Sequence, residues 1–103
     1  MLKYITFMRL TDKGQMTPPE KVADVYKQML AITESFGGKT LEIWTAMGKY
    51  DFVTIAEFPS ADAAFKSLVK LNQLGVARLE GAPTFPVEAY LAAAAEKREP
   101  VLV

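Results

Sequence analysis

The sequence predicts a single α+β domain, an antiparallel sheet with two helices on one face and a further helix at the C-terminus. Short runs rich in β-branched and aromatic residues alternate with stretches of helical spacing, in the order β-α-β-β-α-β. Breakers stand at the boundaries: Thr11-Asp12-Lys13-Gly14, Gly37-Gly38, Gly48-Lys49, Pro59-Ser60 and Leu74-Gly75. Together with the preference for right-handed crossovers, that order describes a ferredoxin-like topology.

Each element has a local cause. Lys3 to Leu10 is a strand stopped by Thr11-Asp12-Lys13-Gly14. Thr17-Pro18-Pro19-Glu20 reads as a helix start, with Thr17 as N-cap and Pro18 in the first turn. Val22, Val25, Tyr26, Met29, Leu30 and Ile32 then recur at helical spacing until Gly37-Gly38. Lys39–Met47 and Asp51–Phe58 form a hairpin around Gly48-Lys49-Tyr50. Ser60 caps a helix through Ala63, Ala64, Phe65, Leu68, Val69 and Leu71, ending at Leu74-Gly75. Val76 to Thr84 is the fourth strand, and the Ala-rich stretch from Glu88 to about Arg98 is a helix. An apolar tail, Pro100-Val101-Leu102-Val103, follows. The division expected is a domain over residues 1–90 and a helix end with tail over 91–103.

Composition narrows the function. The 103 residues suffice for one domain that buries roughly 60–65% of its unfolded surface. Twelve basic residues balance twelve acidic ones, so no overall field attracts nucleic acid or an anionic membrane, and neither is expected as a partner. The chain has no Cys and no His, which removes disulfides, zinc-type ligand sets and His-containing triads. No metal and no cofactor are expected. Met1 to Gly14 reads as a strand and not a signal peptide, and no window reaches the length of a membrane span. The cytoplasm is the expected location. Gly37-Gly38 follows a helix instead of opening one, so it is no phosphate loop.

Two helices cover one face of a sheet. By alternation, Ile5, Phe7, Leu41, Ile43, Val53, Ile55, Ala77 and Leu79 form a mostly aliphatic set, assigned to the core beneath the helices. Tyr4, Thr6, Met8, Glu42, Trp44, Ala46, Phe52, Thr54, Ala56, Arg78 and Glu80 form the opposite face. The assignment requires a three-residue loop or a bulge at Gly48-Lys49-Tyr50; a two-residue turn would swap the faces of the third strand. An exposed face with Trp44, Phe52, Tyr4 and Met8 calls for a cover. The C-terminal helix, with Tyr90 and Leu91 inward, covers part of it, and a second copy of the sheet the rest, in an isologous dimer.

The corner Gly48-Lys49-Tyr50-Asp51, followed by Phe52-Val53 and Glu57-Phe58-Pro59, resembles the Gly-Tyr-Asp signature of the GYD-domain family. The opening Tyr4-Ile5-Thr6 with Thr11-Asp12-Lys13-Gly14, and Leu74-Gly75 before the last strand, are similar to that family too. The resemblance covers about residues 1–90 and implies a dimeric α+β barrel, without implying a defined activity. The corner also looks like that of the ligand-sensing domain of leucine-responsive transcription regulators, whose helix-turn-helix this chain lacks.

The reading that follows is a homo-oligomeric small-ligand-binding module with a cavity between facing sheets. Tyr4, Thr6, Trp44, Tyr50, Asp51, Thr54, Arg78 and Glu80 are its candidate ligand-binding residues. Several have a plainer role beside the functional one. Gly48 serves a positive-φ turn, Asp51 accepts backbone N–H bonds across the corner or a ligand ammonium, and Tyr50 packs on the hairpin or points into the site. Trp44 anchors an interface or stacks on a substrate. Arg78 joins a charge network with Glu80 and a neighbour's Glu42, or clamps a carboxylate. Two alternatives stand beside the binding module. One is a cofactor-independent, oxygenase-like or isomerase-like enzyme using Trp44, Tyr50 and Arg78, by fold analogy alone. The other is a structural subunit whose Val101-Leu102-Val103 tail adds to a neighbour.

Overall fold

A computed structural model describes residues 1–97. The four strands are β1 (Leu2–Leu10), β2 (Lys39–Thr45), β3 (Phe52–Phe58) and β4 (Ala77–Pro83), in the spatial order β2-β3-β1-β4 with every pair antiparallel. The helices are α1 (Asp12–Gln15), α2 (Val22–Ser35), α3 (Ala61–Gln73) and α4 (Val87–Ala95), with a 3₁₀ turn at Pro19–Lys21. Both α2 and α3 pack on one face of the sheet, so the ferredoxin-like arrangement expected from the sequence is present. α4 ends at Ala95, before the end expected near Arg98; Arg98 itself and the apolar tail lie outside the described residues.

Most boundaries follow the sequence signals. The Ser60 hydroxyl accepts from the Ala63 N–H at 3.1 Å and starts α3. Thr17 does not cap α2. Its hydroxyl donates to the Lys13 carbonyl, and Pro18, held extended (φ −56°, ψ 140°) by the proline after it, delays the helix to Val22. Thr11 is the cap that sequence reading passed over: it accepts from the Gly14 N–H at the start of the short α1. Lys13 of α1 then donates to the Leu74 carbonyl at the C-terminal end of α3, where a cation meets the negative end of the helix. Asn72 fixes α3 to the edge strand β4: its side chain accepts from the Leu79 N–H at 3.0 Å and donates to the Leu79 carbonyl at 3.2 Å. The core lies there, with Leu71, Val76, Ala77 and Leu79 buried and Met8, Val25, Met29 and Leu68 packed against them. Gly38 gives close passage elsewhere, since a Cβ there would lie 2.5 Å from the Phe58 ring.

The register corrects the assignment of faces. Trp44 pairs with Val53 and Ile43 with Thr54, so the connection 46–51 is even and the odd-length corner is not formed. The bulge is at Leu41 instead, between Thr40 and Glu42. Phe52 and Thr54 therefore lie under the helices together with Tyr4, Thr6 and Met8, while Ile5, Phe7, Val53 and Ile55 occupy the open face. The faces of Ile43, Trp44, Ala77, Arg78, Leu79 and Glu80 are as expected. The aliphatic uniformity of Ile5, Phe7, Val53 and Ile55 does not single out the helix-covered face, because Met8, Leu10, Phe52 and Phe58 fill it equally well.

The corner is held by Asp51. Its N–H donates to the Met8 carbonyl, its carbonyl accepts from the Ala46 N–H, and its Oδ2 accepts from the Leu10 N–H, each at 2.8 Å. The side chain thus carries the β1–β3 ladder one bond past the end of the paired residues. Gly48 takes φ +150° with no atom within 4 Å of a would-be Cβ, so its need is conformational and not one of space.

The helix α4 does not fold back on the sheet, contrary to expectation: Tyr90 is 71% and Leu91 58% exposed. Thr84 is tied through its N–H and its hydroxyl to the Lys3 carbonyl, and the extended Pro86 (φ −62°, ψ 149°) leads the chain away. The molecule measures 59 × 30 × 27 Å with a radius of gyration of 16.9 Å, above the ~13 Å of a compact chain this long.

Asp51→Ala strands the half-buried Leu10 N–H and is expected to cost about 1–3 kcal/mol. Asp51→Asn keeps an acceptor and costs less. Urea unfolding with an unchanged m-value measures both.

Candidate functional site

Small residues in the middle of the helix–sheet interface leave a cavity of about 880 Å³. Its floor is a row across three strands, Thr54 opposite Thr6 and Thr6 opposite Gly81, with Ala56 beside it. Its roof is the face of α3 that carries Ala61, Ala64 and Ser67. Larger side chains surround this gap: Tyr4, Phe52 and Phe58 from the sheet, Tyr26 and Met29 from α2, Phe65 from α3. Tyr4 and Phe58 meet edge to face at 5.9 Å. The size falls within the usual range for small-ligand pockets.

Ser67 is fully buried, and its hydroxyl has no hydrogen-bond partner among the described residues. Buried polar atoms ordinarily have one, so this hydroxyl, enclosed within the helix–sheet interface beside the cavity, is an exception. The Thr6 and Thr54 hydroxyls form no side-chain bond within the described residues either.

The structure divides the candidate residues between two faces. Tyr4, Thr6 and Thr54 line the cavity. Trp44, Tyr50, Arg78 and Glu80 belong to the open face, and Asp51 is occupied at the corner by the Leu10 N–H. The Tyr50 hydroxyl donates to Glu80 Oε2 at 3.1 Å while its ring leans on Phe7 at 5.0 Å. Lys49 Nζ lies 5.6 Å from the Tyr50 ring centroid. Trp44 is 63% exposed beside Val53. Arg78 stands opposite Arg9, a like-charged pair, and neither forms an ion pair among the described residues. Among those residues no three acidic groups converge as a metal site.

Ser67 is the site residue that sequence reading missed. Its signal was a lone polar residue on the apolar stripe Ala63, Ala64, Leu68 and Leu71. Gly81, read only as a weak point in β4, is the floor position that contributes no side chain.

Fold and cavity together define a ferredoxin-like α+β domain with a hollow helix–sheet interface. Residues 4–94 match the model of the GYD domain, and the chain belongs to the GYD-domain family. Among solved structures it is similar to that of At3g17210 from Arabidopsis thaliana, with a TM-score of 0.54 and 14% identity over 84% of this chain and 95% of that one. At that identity the likeness is one of fold. No curated protein sequence matches the chain. No helix among the described residues is long and apolar enough to cross a membrane.

Ser67→Ala removes a buried hydroxyl that no described residue satisfies. It is expected to stabilise the ligand-free protein by about 1–3 kcal/mol in urea titration, opposite in sign to the usual effect of truncating a buried residue.

Proposed function

We propose that this GYD-family chain is a small-molecule-binding module that works as a homo-oligomer. Its ligand lies in the cavity between α2, α3 and the sheet, and the open face of the sheet meets a second copy. The observation that carries the proposal is the cavity of about 880 Å³, lined mostly by apolar side chains, between α2, α3 and the sheet. The ligand site expected between two facing sheets is thereby relocated within one chain, with Tyr4, Thr6 and Thr54 retained as its residues.

The open face supports the homo-oligomer. Ile5, Phe7, Val53 and Ile55 form its centre and Trp44 its β2 edge. Burying Trp44 alone would contribute about 2–3 kcal/mol. Tyr90 and Leu91 on the projecting α4 add apolar surface that the chain does not cover itself. Tyr50, Arg78 and Glu80 would be contact residues of this interface. Nothing favours the enzymatic reading of Trp44, Tyr50 and Arg78, because those three share the open face and not the cavity.

Size-exclusion chromatography with light scattering is expected to give about twice the 11.4 kDa of the chain at micromolar concentration, and Val53→Lys to return it to a monomer. A monomeric wild type would overturn the pairing of open faces. The cavity is tested separately with the apolar dye N-phenyl-1-naphthylamine, whose emission rises on entering an apolar site. Ala64→Phe fills the roof and should abolish that rise while Val53→Lys preserves it. A bound ligand at 100 times its Kd should add about 2.7 kcal/mol of stability. Equal dye binding by Ala64→Phe and wild type would rule the cavity out.

A further inference from the structure

We infer that the two copies pair with their two-fold axis running along the strands, between β1 and β3, so that Lys3 of each copy meets Glu57 of the other. This rests on the reading of the open face as a contact with a second copy and adds the orientation that the face selects.

The register lays the open face out in rows. Ile5 stands opposite Ile55 in one central row, and Phe7 opposite Val53 in the next. Lys3 stands opposite Glu57 at one end of this apolar block. At the other end Arg9 lies on β1, opposite Arg78 of β4, and the Asp51 corner lies beside it where β3 begins. On this face β1 therefore carries a cation at each end, and the chain through β3 an anion at each end, with apolar residues between. No ion pair joins Lys3 to Glu57 within the chain among the described residues.

Two such faces, about 10 Å apart, stack in two symmetric ways that keep their apolar blocks in contact. An axis along the strands lays β1 over the partner's β3 and keeps every row at its own level. Ile5 then meets the partner's Ile55 and Phe7 the partner's Val53, while Lys3 meets the partner's Glu57 and Arg9 the partner's Asp51. An axis across the strands lays β1 over the partner's β1 and reverses the rows. Lys3 then meets the partner's Arg9, and Glu57 the partner's Asp51. The apolar contacts are alike in the two arrangements, so charge decides between them. Opposite charges around an apolar centre fix its orientation, and like charges brought together count against the alternative. The strand order β2-β3-β1-β4 makes the choice possible, because the cationic and the anionic strand are the two central ones and the axis between them exchanges the two.

The test reverses the charges singly, in Lys3→Glu and in Glu57→Lys. Analytical ultracentrifugation then measures dimerisation of each variant alone and of the two mixed in equal amounts. Each variant alone brings like charges together at both symmetry-related contacts, and is expected to dimerise about tenfold more weakly than the wild type. The mixture is expected to recover wild-type affinity, because a dimer of one variant with the other again joins opposite charges at both contacts. Recovery also shows that both variants are folded. It owes nothing to repulsion between positions 3 and 57 inside one chain, which mixing leaves unchanged. If each variant dimerises more tightly than the wild type, the axis runs across the strands and the inference is overturned. It is overturned too if the mixture is no stronger than the variants alone. In both cases the pairing of open faces stands. If the wild type is itself a monomer, pairing and orientation fall together.

Discussion

The structure depends on the parity of one hairpin, and Asp51 enforces it. Three bonds of 2.8 Å tie this residue to Met8, Leu10 and Ala46, so β3 enters the sheet with Phe52 opposite Met8 and Thr45. A slip by one residue would exchange every side chain of β3 between the faces. Thr54 would leave the cavity floor, and Val53 and Ile55 would take its place beneath the helices. The corner thus acts at a distance: it is not part of the cavity, but it selects which residues are.

The cavity follows from where small residues stand. A helix layer packs closely on a sheet when large side chains interdigitate between them. They do so over β4, where Leu71, Val76 and Leu79 are buried around Asn72. Toward the middle, Ala64 and Ser67 face Thr6, Thr54 and Gly81, and neither side fills the gap. The protein gives up part of its own core at this point. An unsatisfied hydroxyl in the same place costs more stability still, which is the pattern expected where function and stability pull apart.

The fold was legible from sequence because its signals are local. Strand runs, the Ser60 cap and the glycines at Gly37 and Gly75 each act within a few residues, and both glycines adopt the positive φ that a helix end uses. The faces were only half legible. Both sides of β1 and β3 are rich in apolar residues, so alternation could not say which side the helices took, and the deciding facts were the length of the 46–51 connection and the bulge at Leu41. The candidate site suffered from the same ambiguity. Tyr4, Thr6 and Thr54, which line the cavity, were grouped with Trp44 and Arg78, which lie across the sheet from them. The course of α4 depends on how Thr84 is anchored to Lys3, a long-range contact that no local pattern announces.

The position of the only tryptophan has a practical meaning. Trp44 lies on the outer surface of the sheet, and the hollow is on the inner one. Indole emission reports the water around the ring, so it should shift to the blue as copies associate and stay silent as a small guest enters. If copies pair and a guest binds as proposed, the two events would be optically separable in the unmodified chain, and their order could be read by watching one signal while driving the other.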